Sequence, residues 1–454
     1  MSFKHILLFV PVKTNDIFQG TLPPQKNTTI MTTFSIRRFT SIVCSICYAI
    51  TAIAIGLGVR YLHQHVIWIH DKNDKNQNPI VTACTSVEFD SMTTFCQQTG
   101  MVPYAQNLGL VLFNPWVCIV TQQLYNYVVD TQQQQQQQYF PMVRMLFVNK
   151  VGLQFLITVM TVTEAGRQHN RSILLYPTVM EIGYYLFGSG MSVVFPILWV
   201  SSYCLWGYGN PFHFYQQAQD VDGSSNTEIG VVGIGGDGMV NLSRARLGLG
   251  IWVGLPRVVL SVLAFKLDPN HSKLWKFCTG LLGAPLLALL PLVGWTLQPS
   301  PPHPMTSQAT AVQSAKAVAT GYGIVGGICF LGWIYTTYLL ITHYYYYNNI
   351  GDGGGDGDGD GGSNLWQLFW NNAWAKWNSA EPSHQSLFVD VVALWLALIL
   401  HISYRNIWSA LEALLLLPFF GPGAACAMEL ATLEVERFSV PIEPQPQRTK
   451  SKQE

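Results

Sequence analysis

Residues 39–59 read FTSIVCSICYAITAIAIGLGV, 21 positions without a charge, flanked by Arg37 and Arg38 on one side and Arg60 on the other. A bilayer hydrocarbon core about 30 Å thick takes roughly 20 residues of α-helix. Within it a chain must satisfy its own backbone groups. The stretch therefore reads as a transmembrane helix. Residues 182–206, 277–297 and 318–342 repeat the pattern, and the last runs into the tyrosines 344–347, which suit the headgroup level. Four more runs are long enough but carry ionisable residues. They are 145–162 with Lys150, 247–265 with Arg257, 387–404 with Asp390 and His401, and 407–430 with Glu412 and Glu429. In the last, Pro418 and Gly421-Pro422-Gly423 predict a break or kink. Residues 107–121 are short and contain Pro115, which fits a re-entrant or interfacial segment at least as well as a span.

Composition agrees. Charged residues make up 11% of the 454, against about 25% in an ordinary soluble domain. Lysine plus arginine balance aspartate plus glutamate at 25 each with no basic block, which removes nucleic acid from the expected partners. Nine cysteines are too few for a disulfide scaffold. Cys44 and Cys47 form a CxxC inside an apolar helix, where free cysteine behaves as a small core residue, so both are expected to face inward. The Gln132–Gln138 run and the Gly/Asp tract at 351–362 point to a eukaryotic source.

Loop charge separates eight spans from nine. With eight and a cytosolic N-terminus, the cytosolic side collects 15 Lys/Arg and the outside eight, whereas nine spans give about 10 to 13. The sequence thus predicts an all-α, polytopic transmembrane bundle of about eight spans, both termini cytosolic. Seven spans remain if the first is removed as a signal peptide, nine if 107–121 crosses. Residues 1–38 form an N-terminal cytosolic segment, 39–430 the bundle with long loops at 60–144, 207–246 and 343–386, and 431–454 a polar tail. On this topology Asn241 faces the glycosylation machinery while Asn27 and Asn170 do not. Cys84 and Cys96 share an outside loop and can close as a disulfide. Trp366, Trp370, Trp374 and Trp377 would line one face of an interfacial helix.

A charged group at mid-bilayer costs at least about 2.5–3.5 kcal/mol, so each needs a partner or a use. Glu164 and Arg167 form an i,i+3 pair where a helix leaves the bilayer, with Asn170 and Arg171 following. Arg257 has apolar helix on both sides and needs a carboxylate, for which Asp390, Glu181, Glu412 and Glu429 are the candidates. Asp390 and His401 share a stripe of one helix but stand about 16 Å apart along its axis, so they can line one cavity without touching. Arg257, Asp390, His401, Glu412 and Glu181 are the expected cavity residues.

No motif calls for a cofactor. Asp356, Asp358 and Asp360 match half an EF-hand loop, but Gln367 stands where its glutamate belongs. His63, His65 and His70 lack the acidic neighbours of a di-iron site, and no metal is expected.

Two stretches carry a resemblance. Glu164-Ala-Gly-Arg167-Gln-His-Asn170-Arg171, then Tyr176-Pro177-Thr178, Gly188-Ser-Gly190 and Pro196, form one; Gly421-Pro422-Gly423-Ala424-Ala425 with Glu429 and Glu434 forms the other. Together they resemble a group of fungal multi-pass membrane proteins found beside secondary-metabolite enzymes, over about a third of the chain. The resemblance implies a multi-pass fold and marks Glu164, Arg167, Asn170 and Arg171 as a cluster; it implies no activity.

The expected function is transport or permeation of a small lipophilic or anionic molecule in the endoplasmic reticulum or plasma membrane. The alternatives are an intramembrane enzyme acting on a lipid or terpenoid, with Asp390 or Glu412 as general acid, and a scaffold whose buried charges pin helices together. The partners expected are the lipid bilayer and that small ligand.

Overall fold

The structure, a computed structural model, describes residues 28–63, 140–167, 180, 190–207, 240–242, 245–246, 308–351 and 382–439. Two units separate, Met1–Cys44 and Ser45–Glu454, and the packing that follows is that of the second. Among the described residues there are six helical elements and no strand. They are α1 (Thr28–Tyr61), α2 (Phe140–Ala165), α3 (Met191–Trp206, with a π-helical stretch at Phe195–Val200), α4 (Gln308–Gly351), α5 (Pro382–Arg405) and α6 (Ile407–Ser439). Five segments are long and apolar enough to cross a membrane: Ile42–Tyr61, Arg144–Ala165, Val312–Thr342, Gln385–Arg405 and Ile407–Glu436. The expected spans 247–265 and 277–297, segment 107–121, the tryptophan helix and the Cys84–Cys96 loop lie outside the described residues.

Hydroxyls inside these helices hide in their own backbone. Thr51, Thr158, Thr163, Thr320, Thr336 and Thr342 each donate to the carbonyl four residues back. A threonine can therefore sit in lipid without an exposed donor. Between helices, where lipid is as apolar as leucine, close approach of small residues does the holding. On α1 the buried positions are Ser45, Ala49, Ala52, Gly56 and Val59, one small stripe at helical spacing. Cys44 and Cys47 are exposed instead, which corrects the inward reading. They lie off that stripe, and only the stripe is narrow enough for neighbouring backbone to approach. Gly152 of α2, Cys329 of α4 and Gly423 of α6 meet at one point, and a Cβ at Gly423 would stand 2.9 Å from the Cys329 Sγ.

Side-chain bonds give each helix its direction. Ser45 on α1 and Tyr404 on α5 share a hydroxyl bond of 3.0 Å, and Tyr404 also donates to the Cys204 carbonyl of α3. At the opposite end His63, just past α1, Lys150 of α2 and Ser192 of α3 all meet Asp390 of α5. Thus α2, α3 and α5 run parallel, and α1 runs against them. Consecutive crossings would have made α2 and α3 antiparallel and put Asn241 opposite Arg167. The structure corrects this: Val240 pairs with Arg167, and the Asn241 N–H donates to the Gly166 carbonyl at 2.9 Å.

The last segment breaks at Gly421, within the stretch where its sequence predicts a break or kink, and the break is a full reversal into a hairpin. Arg405 and Glu434 lie 29 residues apart yet bond at 3.0 Å; a straight helix would separate them by about 43 Å. The reversal falls at Gly421, with φ 77° and ψ 164°, a region open essentially to glycine alone. Gly421 ends the first leg and Pro422 begins the second, the usual order of a glycine stop and a proline start. The two legs, 407–420 and 422–439, lie antiparallel, so the Ser409 hydroxyl reaches the Glu429 carboxyl. The tip packs under the Trp333 indole of α4. The Ser45 end of α1 and the end of α6 share one end of the bundle.

In a S409C/E429C variant, oxidation should yield an intramolecular disulfide, seen by mass spectrometry as a cross-linked peptide. A straight helix would hold the two positions about 30 Å apart and give none. Gly421→Ala should destabilise the protein by at least about 1–3 kcal/mol through backbone strain alone. Reversible unfolding in mixed micelles measures this, and Trp333→Ala should not restore the loss.

Candidate functional site

Asp390 sits two turns into α5 with its carboxylate 7% exposed. Lys150 Nζ lies 2.5 Å from Oδ2, and the Ser192 hydroxyl donates to Oδ1. His63 Nε2 stands 3.4 Å from the same Oδ1 and 3.4 Å from the Ser386 hydroxyl, one turn earlier on α5. Four elements thus converge on one carboxylate. Gly190 caps α3 beside it, and a Cβ there would make only ordinary contacts, 3.4 Å from the Ser192 hydroxyl and 3.9 Å from Oδ1. The start of α3, carrying the positive end of the helix dipole, therefore faces Asp390. Burial pushes the His63 imidazole below its ordinary value of 6.5; Asp390 opposes the shift, Lys150 adds to it, and the bond to Ser386 opposes it.

Serine, histidine and aspartate side by side invite comparison with a nucleophilic relay. The geometry rejects it. Such a relay needs one imidazole nitrogen on the serine and the other on the carboxylate, whereas both contacts here fall on Nε2.

The second cluster closes the other end. Arg167 donates to Glu164 through Nε at 2.6 Å and Nη2 at 2.7 Å, and Nη2 also meets Glu434 Oε1 at 2.6 Å. Arg405 reaches the same Oε1 at 3.0 Å. Burial works against the Arg167 charge, but Glu164 and then Glu434 outweigh it and hold the guanidinium firmly protonated. Side-chain exposure is 0–1% for Arg167, Glu164 and Glu434, and 7% for Arg405. The cluster is a sealed clamp at the base of the α6 hairpin.

Between the two clusters stands a buried aromatic column. Phe195, Trp199 and Tyr203 of α3 stack at successive turns, and His401 lies 4.4 Å from the Tyr203 ring and 5.3 Å from Trp199. His401 is therefore an aromatic-caged core residue about 16 Å along the helix from Asp390, not part of the same cluster.

Of the residues singled out in the sequence, Asp390 anchors one cluster and Glu164 with Arg167 the other. Glu412 is exposed on the first leg of α6, on the side of Glu429. Arg257, Glu181, Asn170, Arg171, Cys84 and Cys96 lie outside the described residues. Ser192 was not singled out, His63 was weighed only as a metal ligand, and Lys150 only as a charge inside a span. Lys150 carried the same signal as Arg257, a cation inside an apolar run.

No protein-family model, curated protein or solved structure matches the chain.

The His63 shift makes a pH test. The folded protein favours the neutral ring, so this stabilisation is whole above the unfolded value of about 6.5 and is lost as pH falls through the lower folded value. The thermal midpoint of the detergent-solubilised protein should fall between about pH 7.5 and pH 5, and His63→Asn should flatten that slope.

Proposed function

We propose that this chain is an integral membrane transporter for a small anionic or lipophilic molecule, with Asp390 as the group that takes up and releases a proton. The observation that carries the reading is the difference between the two ion clusters. A charge kept only to pin helices belongs in a sealed contact, as at Arg167. The Asp390 cluster is not sealed: the Lys150 side chain is 22% exposed and His63 13%. An ionised intramembrane pair with outside access is the arrangement expected of a pathway.

His63 is well placed to pass a proton. Its neutral ring touches Asp390 and is partly exposed, so it can accept a proton from outside and hand it inward. Protonated Asp390 no longer balances Lys150, which loosens α5 from α1, α2 and α3 together. The α6 hairpin supports the reading as well, because broken helices in membranes occur where they are buried in protein or line a path. We take the Arg167 end as cytosolic. Arg167, Arg246, Lys316 and Arg405 gather there, against Arg60, Arg144 and Lys150 at the other.

The test uses purified protein in liposomes with a pH-sensitive dye trapped inside and equal pH on both sides. Adding pyruvate, succinate or phosphate outside should acidify the lumen faster than in protein-free liposomes for at least one solute, and Asp390→Asn should abolish the difference. No acceleration with any of the three, or an Asp390→Asn variant as fast as the native chain, would sink the transport reading.

A further inference from the structure

The groups around Asp390 have one property in common: each can donate. Lys150 brings an ammonium, Ser192 a hydroxyl, His63 an imidazole nitrogen, and α3 the positive end of its backbone. A cradle of donors with a cation at its centre is what a carboxylate requires, and the structure contains a carboxylate in it, Asp390's own. Next to it in sequence on the same helices lies a buried apolar cluster of Val59, Val193 and Ala393, with Ile197 and Val389 packed against them.

We infer that this cradle is the binding site for the carboxylate of a small organic acid with an apolar tail, and that Asp390 is its built-in occupant. The inference rests on the transport reading for its location and adds the substrate class. The exchange balances. A proton adds to an Asp390 oxygen, the carboxyl turns neutral, and the Lys150 N–H that it accepted is released. The incoming carboxylate then accepts from Lys150 and Ser192. One negative charge is neutralised and one enters, so the buried charge around Lys150 stays the same and no ion is left unpaired, a state that a bilayer penalises heavily. Uptake of acid and of proton are thereby tied together. The titratable and polar groups facing Asp390 are His63 from the end of α1, Lys150 from α2, Ser192 from α3 and Ser386 from α5 itself.

Calorimetric titration of the full-length protein in detergent tests this with three probes of equal chain length: octanoate, octanol and octylammonium. Octanoate should bind, more tightly as pH falls, while the alcohol and the amine should not. Asp390→Asn removes the internal occupant and should tighten octanoate binding at least tenfold, and Asp390→Asn combined with Lys150→Gln should abolish it. The double variant leaves no unpaired ion. If Asp390→Asn does not fold alone, octanoate against octanol on the native chain still decides. Octanol binding as well as octanoate, octanoate failing to bind, or Asp390→Asn binding it no more tightly than the native chain would overturn the inference. Octanoate binding without any solute-driven acidification would leave the inference standing and remove transport; acidification without octanoate binding would do the reverse.

Discussion

Lipid does not solvate charge, and the arrangement of this bundle follows from that. An ion inside the hydrocarbon must find a counter-ion or bear a cost of at least about 2.5–3.5 kcal/mol. Apolar faces give helices in lipid little reason to choose one neighbour over another. The few charges therefore choose. Asp390 draws the end of α1, the middle of α2 and the start of α3 to the second turn of α5. Glu434 draws Arg167 and Arg405 together at the opposite end. Small-residue contacts such as Gly152 with Cys329 then complete the fit.

The two ends differ in consequence. At the Arg167 end the charges are buried against one another, Arg167 between Glu164 and Glu434 and Arg405 on Glu434, and removing one partner there would strand the other at about 3–5 kcal/mol. At the Asp390 end the partners come from three other elements, and Lys150 and His63 stay partly exposed. The stacked rings of Phe195, Trp199 and Tyr203 stand between, with His401 against them.

Much of the fold was legible in the sequence because a membrane span is a statement about length and charge, and residues 39–59 make it without ambiguity. What was not legible is direction and return. The stretch Ile407–Glu436 has the length and composition of a crossing helix, so Gly421-Pro422-Gly423 reads as a break or kink, and the full reversal shows only where Arg405 bonds Glu434. The parallel run of α2 and α3 is likewise a matter of contacts that composition does not record. For the site, intramembrane charge singled out Asp390, Glu164 and Arg167. Partners were harder, because a sequence does not say which helix a carboxylate faces. Lys150 carried the same signal as Arg257, and His63 lies just beyond an apolar run, where it reads as a loop residue. His401 shares Asp390's stripe, but a shared stripe fixes only rotation about the axis, and the 11 residues between them fix the distance.

The hairpin at Gly421 also constrains how the chain is made. Each leg of about 14–18 residues rises only about 21–27 Å as helix, short of the hydrocarbon thickness, so neither leg alone has the length of a stable span. As each leg leaves the ribosome it lacks the other, and Glu434 at its base is an unmatched ion until Arg167 and Arg405 are already in place. Biogenesis therefore has an order: the hairpin follows the helices that carry Arg167 and Arg405, and enters a slot that they have built.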